Sequence, residues 1–372
     1  MAGLFSNFFE SKEKHIVGVD IGSSSIKVVQ LYLKKERVYL STYGSVALGP
    51  YANTDIGRAT NLSPDKIQKI LSHIISESKI TTKNAGVAMP FGSSLLSVIR
   101  MPRVSDEELE NIIPMEARKY IPASLDEVTL DWSIISEYNN SSSEKETKDS
   151  NSKKEESKLS QVDILLAAVP NETINRYQSI VKNSGLGVSF MEIETFSTLR
   201  STLRGKTPGS NVIIDIGARM TKIYIVDGGA VRSSHIINKG SQDITFSISK
   251  AFDLSVKEAE MVKRNINIYN SKGQEKEVIS RSMDYIFSEV NRLLKNYQKK
   301  SNKPFNSVIL TGGGGSLMGL EKISEEKLNI PVTKAKPFDG VEVPNFLKER
   351  IDMIGPEFSV ACGVALRGLE KS

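Results

Sequence analysis

The sequence predicts an α/β protein of two lobes built on one plan, and three observations lead there. The first is a repeat: Asp20-Ile21-Gly22-Ser23-Ser24-Ser25-Ile26-Lys27 returns about 195 residues later as Asp215-Ile216-Gly217-Ala218-Arg219-Met220-Thr221-Lys222. The second is its setting. Each copy lies between apolar runs (16–19 and 28–33; 212–214 and 223–226), which reads as strand, glycine turn, strand. The third is a strand at 308–310 running into Thr311 and four consecutive glycines, Gly312 to Gly315, ahead of an expected helix over 318–328. Two matched hairpins so far apart imply duplication. Each also has a third-strand candidate, 37–43 and 230–237.

The bulk properties fit that class. A chain of 372 residues can bury a large core divided between two units. With 39% hydrophobic and 25% charged residues it has the composition of an ordinary soluble protein. The net charge of +5 comes without a basic stripe interleaved with aromatics, so nucleic acid is not an expected partner. Cys362 is the sole cysteine, which rules out an internal disulfide, and three histidines leave little for a zinc site. In its apolar run Cys362 reads as a packed side chain. No apolar run approaches the ~20 residues of a membrane span, and the start lacks the pattern of a signal peptide. A cytoplasmic protein is the expectation. Leu4, Phe5, Phe8 and Phe9 have the spacing of a short amphipathic foot, but a loosely packed terminus is the preferred reading.

Residues 139–158 contain only Asn, Ser, Thr, Lys, Glu and Asp, with five acidic and five basic charges. Such a segment cannot offset the entropy of ordering, so a flexible loop is expected between strands at 129–135 and 162–169 of one sheet. Upstream, Ser105 and Glu108 have the spacing of a capping box. Leu109, Ile112, Ile113, Ala117 and Tyr120 would share one face of the helix that follows, with Pro114 expected to kink or split it. A further helix is expected over 171–183.

The repeat carries the chemistry. Small residues such as Gly22 let a backbone approach a ligand closely, and turn N–H groups form an anion-binding concavity. Ser23, Ser24 and Ser25 add hydroxyls. The Asp20 carboxylate suits a hydrated Mg²⁺, which keeps waters and takes few carboxylates. Two hairpins face to face would clamp a polyphosphate, with Asp20 and Asp215 flanking the metal. The glycine run could accommodate phosphate or nucleoside. It lacks both the Walker spacing and a Gly-x-Gly-x-x-Gly, which argues against P-loop and dinucleotide sites.

Asp20/Gly22/Ser23, Asp215/Gly217/Thr221 and Gly312 to Gly315, in this order, resemble the motif triplet of the actin, hexokinase and heat-shock ATPase superfamily. Residues 191–197 and 355–365 resemble its two connecting helices, and Ala259-Glu260-Met261-Val262-Lys263 is similar to the adenosine-contacting segment of FtsA and MreB. Within the superfamily, residues 17–27 and 100–105, leading to Glu116-Ala117-Arg118-Lys119-Tyr120-Ile121-Pro122, resemble the PilM family of type IV pilus machines. The likeness runs from about Ile16 to the C-terminus.

That resemblance implies an actin-like (ribonuclease H-like) duplicated bilobal fold with an FtsA-type 1C subdomain, binding ATP and Mg²⁺. Subdomain 1A would comprise 1–88, 190–207 and 350–372; 1C, 89–189; 2A, 208–240 with 305–349; 2B, 241–304. Carried over by position, Ser23, Ser24, Ser25 and Lys27 form the first phosphate loop, and Gly217 and Thr221 belong to the second. Gly312, Gly313 and Gly314 make the adenosine turn, Glu260 and Lys263 touch adenine or ribose, and Glu194 stands near the attacking water. Ala218-Arg219-Met220 is bulkier than many second loops. Little or no turnover is implied. The partners implied are the N-terminal cytoplasmic peptide of PilN, with the membrane reached through that partner, and pilus motor ATPases directly or indirectly. A small-molecule kinase and an FtsA-like filament protein remain open as rival readings. The type II secretion adaptor is similar too.

Overall fold

A computed structural model describes residues 13–138, 160–204 and 209–370. The amphipathic 3–9 segment and the polar 139–158 insertion lie outside the described residues.

The chain opens with an antiparallel meander, β1 (Lys14–Ile21), β2 (Ser25–Lys34) and β3 (Arg37–Ala47). Helix α1 (Pro64–Glu77) follows, with Pro64 at its first turn and Ile67, Ile70, Leu71 and Ile74 buried along one stripe. Strand β4 (Asn84–Met89) then pairs parallel to β1.

Next comes the insert: β5 (Leu95–Pro102), α2 (Asp106–Ala117), β6 (Val128–Tyr138) and β7 (Gln161–Pro170), making a three-stranded sheet in the order β5-β7-β6. Both sides of the polar insertion therefore do lie in one sheet. The capping box of Ser105 and Glu108 forms as expected. Helix α2 runs unbroken past Pro114, so of the expected kink or split the split does not occur. Leu109, Ile113 and Ala117 are buried, but Tyr120 stands outside the helix and is exposed.

Helix α3 (Asn171–Asn183) and β8 (Gly187–Ile193) return to the first sheet. Tyr177, Ile180 and Val181 pack into the core beneath α1, so residues 171–189 belong with the first lobe rather than with the insert. Helix α4 (Glu194–Leu203) leads out of β8. The connecting helix thus begins at Glu194, because residues 191–193 still pair with β4.

The second lobe repeats the plan with β9 (Asn211–Ile216), β10 (Thr221–Asp227) and β11 (Ala230–Ile237), then the helices α5 (Ser241–Phe252), α6 (Val256–Asn265) and α7 (Gln274–Ser301). Strand β12 (Ser307–Thr311) pairs parallel to β9. The glycines form a single helical turn, α8 (Gly312–Gly315). Gly319, at φ 84°, separates it from α9 (Leu320–Leu328), which therefore starts later than the expected 318. Strand β13 (Val332–Lys334) completes a five-stranded sheet, β11-β10-β9-β12-β13.

The chain then crosses back. Strand β14 (Val341–Glu342) pairs with β3, giving the first sheet the order β14-β3-β2-β1-β4-β8. Phe338 and Val341 join the core under that sheet, so the return to the first lobe precedes the expected boundary at 350. Helices α10 (Lys348–Ile354) and α11 (Ser359–Leu369) follow, with Cys362 fully buried as read from its run. Helices α4 and α11 cross tightly: a Cβ on Gly363 would stand 1.9 Å from the Ser197 carbonyl oxygen. The insert also touches the second lobe. Arg232 of β11 donates to the Ile135 carbonyl at 3.1 Å and to Ser136 Oγ at 3.0 Å, and stands 3.5 Å from Asp163.

Candidate functional site

The two hairpins close in the same way. Gly22 N–H donates to the Ser25 carbonyl at 3.0 Å, and Gly217 N–H donates to the Met220 carbonyl at 3.0 Å. The Ser23 carbonyl accepts from Thr60, and the Gly217 carbonyl accepts from Ser241. A trans peptide points its C=O and the following N–H in opposite directions. The Ser24 and Ala218 N–H groups are therefore turned away from those supports.

Between the hairpins lies a cleft of about 850 Å³. Asp20, Gly22, Ser23, Ser24, Ser25 and Lys27 line one wall. Asp215 and Gly217 line the other, Gly312 and Gly313 lie at one end, and Glu260 and Lys263 come from α6. Two expected residues do not reach it. The Thr221 hydroxyl is buried and donates to the Lys239 carbonyl at 2.8 Å. Gly314 is buried against Ile216, where a Cβ would stand 2.4 Å from Ile216 Cγ2. Both positions support the loops from behind. Gly313 differs: a Cβ there would meet nothing within 4 Å.

Register explains the charge layout. Asp20 pairs with Lys27 across β1 and β2, and Asp215 pairs with Lys222 across β9 and β10, so each hairpin offers an acid and a base side by side on one face. The copies then diverge. Lys27 turns to Ser25 Oγ at 2.7 Å. Lys222 reaches Asp215 Oδ2 at 3.1 Å and Glu194 Oε2 at 2.6 Å, while Glu194 Oε1 accepts the Phe91 N–H at 2.7 Å. Burial pulls the Lys222 pKa down, but Asp215 and Glu194 outweigh it and hold it well above the usual lysine value. Asp20 is pushed up to about 6, first by burial and then by the charges of Glu194 and Asp215, against Lys27 and Lys222.

This arrangement leaves the expected hydrated Mg²⁺ only Asp20 of its two carboxylates. Asp215 is closed on an ammonium, and among the described residues no group of three His, Cys, Asp or Glu side chains could hold a metal. On the nucleoside side, Lys263 Nζ is held by Glu260 at 2.6 Å, Thr245 Oγ1 at 2.8 Å and the Ser241 carbonyl at 3.1 Å, and Glu260 also pairs with Arg264. The bulk of the second loop does reach the cleft: Ala218, Arg219 and Met220 all line it, with Met220 beside Gly92.

Lys222 was legible in the repeat, since an Asp-x6-Lys spacing occurs in both copies, but only Lys27 was read as a ligand group. Arg176 and Arg350 also line the cleft, from the polar faces of α3 and α10, with no motif to mark them. So does the 56–62 loop after β3. It crosses to the second lobe, where Ala59 N–H donates to Gln242 Oε1 at 3.1 Å and Arg58 lies over the Phe246 ring at 5.1 Å. In all, seven cationic and five anionic side chains line the cleft, which leaves it positive and suited to a polyanion.

Comparison with known proteins places this geometry. A family model described as type IV pilus assembly protein PilM matches residues 18–369. A solved PilM-PilN type IV pilus biogenesis complex contains a chain 24% identical to this one, with a TM-score of 0.76, covering 96% of this chain and 99% of that one. The cell division protein FtsA of Enterococcus hirae is 22% identical over 352 residues, 85% of this chain and 77% of that protein. MreB5 of Spiroplasma citri, solved bound to ADP, is 14% identical with a TM-score of 0.51, over 95% of each chain. The fold is accordingly actin-like, with FtsA among its sequence relatives.

Proposed function

Because this chain belongs to the family of type IV pilus assembly proteins PilM, we propose that it is the ATP-binding adaptor of the pilus assembly platform, taking the N-terminal cytoplasmic peptide of PilN. The observation that carries the nucleotide half is the pair of hairpins, closed by the same hydrogen bond and facing across one positive cleft. An actin-like neighbour with ADP bound supports it. The partner half is supported by the likeness to a chain solved with PilN. On this reading the protein sits in the cytoplasm and meets the inner membrane through that partner. No helix among the described residues is long and apolar enough to cross a membrane. Contact with the motor ATPases belongs to the same reading.

ATP acts here as a conformational ligand that biases the two lobes, with little or no turnover. Both Glu194 oxygens already accept, from Phe91 N–H and from Lys222, so the carboxylate expected near an attacking water is tied to an ammonium that weakens it as a base. Hydrolysis at about one per second or faster would overturn that part.

The test is calorimetric titration of the purified protein with ATP, then with a PilN N-terminal peptide, using Gly313→Leu as the control. Binding of both ligands, with ATP alone lost in the variant, is the expected result. ATP binding without the peptide would leave the nucleotide site standing and remove the adaptor assignment. Failure of ATP to bind would overturn the reading of the cleft.

A further inference from the structure

The two copies of the hairpin spend their lysines differently, and the difference bears on the metal. Across the first hairpin, Asp20 and Lys27 are register partners, yet Lys27 bonds to Ser25 and stays on the phosphate-loop side. Across the second, Lys222 bridges Asp215 and Glu194, with all three side chains nearly buried at 12%, 8% and 10% exposure. Two carboxylates about one ion apart, deep in a cleft, are the arrangement a divalent cation would need. Here a covalently attached cation already lies between them.

We propose that Lys222 is a built-in replacement for the divalent metal, so that this chain binds ATP without requiring Mg²⁺ at its carboxylates. The inference rests on the nucleotide reading of the same cleft. Three features support it. An ammonium between two buried carboxylates satisfies charge that would otherwise demand a metal or protonation. It cannot leave on chelation. The cleft also carries cations beyond this pair: Lys27, Arg176, Arg219 and Arg350 supply positive charge to the phosphates from several sides. Mg²⁺ arriving on the phosphates gains no free carboxylate from the second hairpin and meets Asp20 alone on the first, so it adds little to affinity. Lys222 is thus a positioning residue for Asp215 and Glu194 as well as a charge for the ligand.

The experiment is ATP titration of the intact chain in Mg²⁺ and, separately, in EDTA, repeated with Lys222→Met. For the unaltered chain the two dissociation constants are expected to agree within about threefold. Lys222→Met frees the carboxylate pair, and its ATP affinity is expected to become at least about tenfold tighter in Mg²⁺ than in EDTA. A merely structural lysine would weaken binding equally in both buffers, so that result overturns the proposal. So does an unaltered chain that binds ATP at least about tenfold better in Mg²⁺; the nucleotide reading would then survive alone. If the unaltered chain binds in neither buffer, the nucleotide reading falls and this inference with it. Should circular dichroism show Lys222→Met unfolded, the two titrations of the unaltered chain decide the matter.

Discussion

Glu192, the penultimate residue of β8, and Arg367, near the end of α11, stand 2.8 Å apart, and the Glu192 carboxylate is almost wholly buried at 2% exposure. Arg200 of α4 closes on the same carboxylate at 2.7 Å and 3.1 Å and donates onward to the Gly363 carbonyl at 3.0 Å. Ser197 Oγ donates to it as well, at 2.7 Å. One carboxylate therefore fastens both helices where they cross. Arg367 also lies over the Phe190 ring at 4.7 Å.

Removing that carboxylate leaves the partly buried Arg200 with the exposed Glu370 carboxylate at 3.3 Å and the Gly363 carbonyl at 3.0 Å as its partners. Glu192→Ala is expected to cost about 3–5 kcal/mol, the usual range for breaking a buried pair from one side. Glu192→Gln keeps acceptor and shape and is expected to cost less. Urea denaturation of both variants measures the difference. Equal losses would mean that packing, not charge, holds the crossing.

The glycines at the cleft end separate fold from ligand. Gly312 has φ 78°, and a Cβ there would lie 2.3 Å from Asp215 Oδ1. Gly312→Ala is therefore expected to destabilise by about 2 kcal/mol or more. Gly313→Leu projects into open space and should leave the melting temperature nearly unchanged, while ATP affinity falls at least about tenfold. Thermal melts and titration of both variants check the contrast.

Asp20 sets a pH dependence. Its folded pKa, about 6, is raised above the ordinary carboxylate value. The folded state then gains stability below the unfolded pKa and loses it as pH rises through about 6. Asp20→Asn is expected to stabilise the nucleotide-free protein at pH 7 by about 1 kcal/mol, because cleft water screens the partly open side chain. At pH 4 the gain should nearly vanish. Denaturation curves at the two pH values test the sign directly.

The 56–62 loop bridges the lobes on the cleft side. A Cβ on Gly57, at φ 91°, would stand 2.9 Å from the Glu260 carboxyl carbon. Gly57→Val and Gln242→Ala should each loosen the bridge. Release of a fluorescent ATP analogue is expected to accelerate about threefold or more in stopped flow, as when a contact worth ~0.7 kcal/mol is lost. Unchanged release rates would show that the loop does not limit exchange.

Ser105 offers a local control. Its side chain accepts from Glu108 N–H, while Glu108 reaches back to the Ser105 N–H at 3.0 Å. Ser105→Ala should cost about 1 kcal/mol, read as faster amide exchange confined to α2.

Much was legible in the chain itself, for a local reason. Strand, glycine turn and strand are written in neighbouring residues, so the repeat marked both hairpins and the third strand after each. The Ser105 cap and the helix over 171–183 were legible for the same reason. The duplicated α/β plan and the facing of Asp20 and Ser23 to Ser25 on a cleft followed from the repeat, while Lys27 was placed there by the family resemblance. Contacts between distant segments were not legible. Whether Thr221 and Gly314 face a ligand depends on what packs behind them, Lys239 and Ile216. That α3 and β14 belong to the first lobe depends on which sheet buries their apolar faces. The fate of Lys222 shows the division most clearly. Strand register puts it beside Asp215, but only the arrival of Glu194 from the start of α4 makes it a bridged, buried cation rather than a second copy of Lys27. Electrostatics among nearly buried side chains such as Lys222, Asp215 and Glu194 are decided by every charge within a few ångströms, and those come from parts of the chain that spacing cannot bring together.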